Sequence, residues 1–129
     1  MKTIKQTILL TLLWIVSVSV YSNQIVYKAN SKLSETTNEN TFGFHTNAFD
    51  VPILSHTFIN GTGMITFNGS LTSIGDIAFF GCNSMTSITI PNTVKTIGNS
   101  SFFGCSKISN ITIPNSVVSI GSRAFRYEY

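Results

Sequence analysis

The sequence predicts a repeat solenoid: a stack of short parallel strands with short helical turns, preceded by a β-rich N-terminal cap. Three observations predict it. One phrase recurs at a fixed interval of 23 residues: ITFNGSLTSIG from Ile65 to Gly75, ITIPNTVKTIG from Ile88 to Gly98, and ITIPNSVVSIG from Ile111 to Gly121. Residues 82–104 and 105–127 are identical at ten of 23 positions, most of them apolar, Gly or Pro. The apolar positions also fall into ladders: Ile65/Ile88/Ile111, Leu71/Val94/Val117, Ile74/Ile97/Ile120 and Phe79/Phe102/Phe125. A single unit of this length cannot bury its own apolar face, whereas stacked copies bury one another.

The chain starts with a stretch of another kind. Lys2 and Lys5 precede an apolar run, Ile8 to Val20, that ends at Val20-Tyr21-Ser22. A positive start, a short apolar core and small residues at the −3 and −1 positions predict a signal peptide, residues 1–22, cleaved before Asn23. The run falls short of the roughly 20 apolar residues that span a bilayer, which disfavours an uncleaved anchor. No later segment is long and apolar enough to span a membrane, so no membrane span is expected after cleavage. Eight Lys and Arg, less Lys2 and Lys5, leave six against five acidic side chains. So small a surplus leaves no basic stripe, and nucleic acid is not an expected partner. Charged residues make up 10% of the chain, against about a quarter in an ordinary domain; Ser, Thr and Asn fill the polar positions instead.

Residues 23–63 are expected to form the cap. QIVYKA (24–29) reads as a strand, and SKLSETTNENT (31–41) as a solvated loop, Glu35 and Glu39 included. Ile53 to Ile59, NGTG and Met64 to Asn68 read as a β-hairpin with a Gly-rich turn. Such a cap protects the core and the strand edge of the first coil. Residues 64–129 then supply about two and a half coils. In each, I-T-I alternates as a half-buried strand, Pro91 and Pro114 mark strand ends, and the glycine after each Ile allows a sharp turn. DIAFFG and NSSFFG offer one helical turn each, with Gly81 and Gly104 at its C-terminus.

The pattern M-x-x-I-x-I-P-x-x-V-x-x-I-G-x-x-S-F-x-x-C, from Met85 to Cys105, resembles the BspA-like leucine-rich repeat of exported bacterial surface proteins and some protist proteins. The resemblance covers Met64 to Phe125, and Thr57 to Gly69 looks like the stretch that leads into such repeats. It implies a leucine-rich-repeat-like right-handed solenoid. Asn68 departs from it where Pro is usual, Ser101 where Ala is usual, and Glu128 where a third Cys would fall.

Catalytic chemistry is not expected. Cys82 and Cys105 stand one repeat apart. Equivalent side chains of stacked coils lie about 4.8 Å apart and point the same way, wider than a disulfide prefers. A buried, reduced pair is therefore favoured. His45 and His56 form no HxxxH or HExxH and no close pair with a cysteine, so neither a metal centre nor a Cys–His couple is expected. No cofactor motif occurs.

A surface remains. The outward strand positions form two expected rows, Thr66–Thr89–Thr112 and Met64–Ser87–Asn110, and these six residues are the candidate partner-binding face. The opposite side (Asp76, Asn99, Ser122) is less suited to binding. The expected function is a secreted or cell-surface, non-catalytic protein–protein interaction or adhesion module; the resemblance implies a host extracellular or cell-surface protein as partner. A truncated N-terminal fragment of a longer repeat surface protein, without independent activity, is the alternative. The last coil leaves Ile111, Ile113, Ile120 and Phe125 uncovered, which invites self-association through the C-terminal coil.

Overall fold

A computed structural model of the chain describes residues 23–127; the expected leader, 1–22, and Glu128 lie outside the described residues. QIVYKA forms strand β1 (Gln24–Ala29), which buries Ile25, Tyr27 and Ala29 and turns Gln24, Val26 and Lys28 outward. That is the period of two expected of a half-buried strand. Two short strands, β2 (Glu35–Thr36) and β3 (Phe44–His45), pair in parallel. The expected hairpin is β4 (Ile53–Ile59) and β5 (Thr62–Phe67). Its two turn residues, Asn60 and Gly61, both take positive φ, 49° and 78°. A turn of this hand matches the twist of the strands it joins.

The repeats add strands in pairs. β6 (Ser73–Ile74), β8 (Thr96–Ile97) and β10 (Ser119–Ile120) form a parallel sheet, with Ile74, Ile97 and Ile120 in register. β7 (Met85–Thr89) and β9 (Asn110–Thr112) pair in parallel, with Ile88 opposite Ile111. The 23-residue period of the sequence is thus the spacing of the coils. Side chains repeat it too. Phe79, Phe102 and Phe125 stack with ring centroids 5.2 Å apart and planes 10° and 6° from parallel. The cap extends the column, because Phe44 stacks on Phe79 at 5.3 Å. Beside it runs a second column, Phe42–Phe80–Phe103.

Three expectations need correction. The first is the course of the strand ladder. β5 does not lie against β7; β1 enters between them, antiparallel to both, and the large sheet runs β4-β5-β1-β7-β9. Ile65 therefore faces Ile25, and Ile88 faces Tyr27, so Ile65 and Ile88 are not neighbours. The apolar alternation of β1 lets it act as a coil strand although it lies outside the repeat.

The second is the helical turn. No helix occurs among the described residues, and 76–81, 99–104 and 122–125 are turns. Ile77, Ser100 and Arg123, one period apart, take φ of 55°, 51° and 57°. A left-handed residue ends any right-handed helix at that point. Alternate amides donate to the next coil instead: Ile77, Phe79 and Gly81 to the carbonyls of Asn99, Ser101 and Phe103, at 2.7–2.9 Å. Ser100, Phe102 and Gly104 repeat the pattern on Ser122, Ala124 and Arg126. Bonding between coils satisfies backbone groups that a helix would have satisfied within one.

The third is the glycine after each Ile. Gly75, Gly98 and Gly121 are absent from the residues of positive φ, so a sharp turn is not their purpose. A Cβ at Gly98 would overlap the backbone of Gly75 and Asp76, and one at Gly121 the backbone of Gly98 and Asn99. Glycine here permits the closest approach of coil to coil.

Candidate interaction face

The outer face of the large sheet carries the six candidate residues. Met64, Thr66 and Ser87 are half-buried, and Thr89, Asn110 and Thr112 are exposed; between them on the strands Ile65 and Ile88 are buried and Ile111 is partly covered. The inward–outward alternation is therefore as the sequence predicts. Ser87 lies beside Asn110 and Thr89 beside Thr112.

The rows as expected do not form. With β1 inserted, Thr66 pairs with Gln24, while Thr89 pairs with Val26, whose other neighbour is Met64. One row is Thr57–Met64–Val26–Thr89–Thr112, and the next is Ile59–Thr62–Lys28–Ser87–Asn110. Thr66 sits instead in a shorter row with Ser55 and Gln24. Sequence reasoning missed Val26, Lys28, Thr57 and Thr62 as members of this face. The alternation of QIVYKA was a sufficient signal for an outward Val26 and Lys28; nothing in the repeat announced where that strand would dock. Lys28 is the one charged side chain in these rows, and hydroxyl groups fill most of the remaining positions.

The opposite side has work of its own. Asp76 accepts the amide of Asn99 at 2.6 Å, and Asn99 Oδ1 accepts the amide of Ser122 at 2.8 Å. Asp50 of the cap accepts the amides of Thr72 and Ser73. Each coil thus lends one side-chain oxygen to the next, a local substitute for ladder bonds. An open groove of about 810 Å³ beside them has Glu39, Asp50 and Asp76 on its walls. Two of those three carboxylates are committed to the backbone of the stack.

Both thiols and the His45 ring are buried. Cys82 and Cys105 are free and buried, and the Cys105 thiol donates to the carbonyl of Phe79 at 2.9 Å. The Cys82 thiol is pushed up, first by its hydrogen bond with Cys105 and then by burial. A reactive thiol needs the reverse, an accessible and electropositive setting. His45 is 1% exposed, and its Nε2 lies 3.0 Å from the Thr41 carbonyl. Among the described residues, no group of three or more His, Cys, Asp or Glu could hold a metal ion. His56 bonds Tyr27 and Glu35, which corrects the expectation that Glu35 is merely solvated in a loop.

The sequence profile described as the BspA type leucine rich repeat region (6 copies) matches residues 52–129. A crystal structure of a leucine-rich repeat protein from Bacteroides ovatus is 31% identical, over 74% of this chain and 25% of that one, with a TM-score of 0.44. The chain thus spans about a quarter of that protein's length. No protein of curated function matches.

Proposed function

The chain belongs to the BspA-type leucine-rich repeat family, and from that premise we propose that it is an exported, non-catalytic interaction module of a cell surface. Its partner would be a host extracellular or cell-surface protein, held on the outer face of the large sheet. One observation carries the reading: five strands, from cap and repeats alike, turn a continuous hydroxyl-rich face outward while their other face builds the core. Outward hydroxyls can exchange water for hydrogen bonds to a partner, and with a single charge among them docking avoids the larger cost of burying ions, provided the partner pairs each hydroxyl it covers.

The face is small. Five strands about 4.8 Å apart, each about five residues at 3.3 Å, give roughly 400 Å², half of the about 800 Å² that each partner buries in a standard complex. A single copy therefore binds weakly, and display of many copies supplies useful avidity. The test is binding of the full-length expression product, arrayed on beads, to a panel of extracellular-matrix proteins. Capture is expected from the array and not from the free protein. Thr89→Arg with Thr112→Arg should reduce it at least tenfold without changing the circular dichroism. Capture unaffected by both substitutions would remove the face from the mechanism.

A further inference from the structure

Tyr27, His56 and Glu35 come from three strands and meet in one hydrogen-bonded chain. His56 Nε2 lies 2.7 Å from the Tyr27 hydroxyl, and His56 Nδ1 lies 2.6 Å from Glu35 Oε1. The Leu33 amide donates to the same hydroxyl at 3.4 Å, and Lys32 Nζ stands 3.3 Å from the same carboxylate oxygen. The His56 side chain is 3% exposed, whereas that of Glu35 is 45% exposed. Gly63 makes the arrangement possible, because a Cβ there would overlap the Tyr27 ring.

One protonation state satisfies every one of these bonds. A carboxylate only accepts, so Nδ1 carries the hydrogen. Nε2 is then the acceptor for the Tyr27 hydroxyl, which itself accepts from Leu33. In this state every hydrogen has an acceptor and the imidazole is neutral. A second proton would sit on Nε2 and turn the tyrosine hydroxyl away from its acceptor, inside the protein, where an unpaired hydroxyl is costly.

The chain of bonds ties down one segment, residues 30–46. Through Glu35 and Leu33 it joins that segment to β4 and β1. The same segment covers the N-terminal end of the repeat stack: Phe44 lies on Phe79, Phe42 on Phe80, and the amides of Gly43 and His45 donate to Phe80 and Ala78. We propose that Tyr27, His56 and Glu35 form an acid-releasable latch that holds residues 30–46 over the end of the stack and, when His56 is protonated, loosens them to uncover Phe79 and Phe80.

The surroundings of His56 support the sign. Burial, the largest influence, lowers its pKa from the ordinary 6.5; the Glu35 hydrogen bond and charge oppose this, and the Lys32 charge adds to it. Of the other elements against it, β1 offers Tyr27, with Lys28 turned to the opposite face. β3 presents Phe44 edge-on at 5.2 Å and carries His45, and β5 has no titratable group. Beyond Tyr27 lies the Cys82 thiol. A histidine with a depressed folded pKa binds fewer protons folded than unfolded, so its stabilisation is complete above pH 6.5 and is lost as pH falls below it. Glu35, lowered chiefly by the His56 hydrogen bond, adds a second loss only below its ordinary 4.5.

Hydrogen exchange on the full chain tests the latch. Between pH 7.5 and 5.0, corrected for intrinsic exchange, protection at the amides of Gly43, Phe44 and His45 should fall several-fold, while that of Gly98 and Phe102 holds. In His56→Gln the cap amides should show no such fall. Cap protection that is flat with pH, or that falls equally in His56→Gln, overturns the latch. Should His56→Gln fail to fold, the His56 ring-proton titration in the wild type and in Glu35→Gln decides. A midpoint below the ordinary histidine value, lower still in Glu35→Gln, upholds it; one at or above that value refutes it.

Discussion

Ser101 holds the position that Ala78 and Ala124 hold in the neighbouring coils. It is fully buried, and its hydroxyl has no hydrogen-bond partner. A buried hydroxyl without a partner costs about 1–3 kcal/mol, and alanine fits the same space. Ser101→Ala should therefore raise stability by about 1 kcal/mol, read as a higher urea midpoint at unchanged slope. A lower midpoint would mean the hydroxyl supports the fold. The sequence exposes this site plainly, because the ladder itself shows which residue is out of pattern. It gives no such warning at Ile77. A β-branched residue with φ of 55° is an uncommon choice, and only the carbonyl of Asn99, waiting in the next coil, explains why that amide must point there.

Elements differ in how legible they were for a physical reason. The ladder Ile74/Ile97/Ile120 follows from the repeat alone, since stacking equal coils fixes its register; that it forms short strands of its own, β6, β8 and β10, does not. The β4–β5 hairpin follows from its turn, and β1 from its alternation. The placement of β1 between β5 and β7 does not follow. Long-range pairing depends on which apolar face fits which, and a pattern of period two is compatible with either edge of a sheet. The turns at 76–81 and 99–104 resemble helical turns in sequence because their length and glycine ends suit both forms. What separates them is bonding to the next coil, a non-local term that local composition does not contain. β2, only two residues long, was invisible in a polar run, and Glu35 with it.

At the scale of the molecule, cap and repeats are one structure. The core is continuous from Phe44 of the cap through Phe79 to Phe102, and the outer face passes from β4 to β9 without a break. The candidate residues of that face were legible individually, as outward positions of I-T-I strands, but their neighbours were not. The most direct measurement is therefore of register. Cysteines placed at Val26 and Thr89 face each other across adjacent strands, where Cβ atoms lie about 4.5–5.5 Å apart, a gap wider than a direct disulfide prefers but bridged by a short bifunctional thiol reagent. Treated with such a reagent, with the linkage mapped by mass spectrometry, Val26→Cys/Thr89→Cys should cross-link and Thr66→Cys/Thr89→Cys, two strands apart, should not. The opposite outcome would place β5 directly against β7, expel β1 from the sheet, and dissolve the composite face on which the proposed function rests.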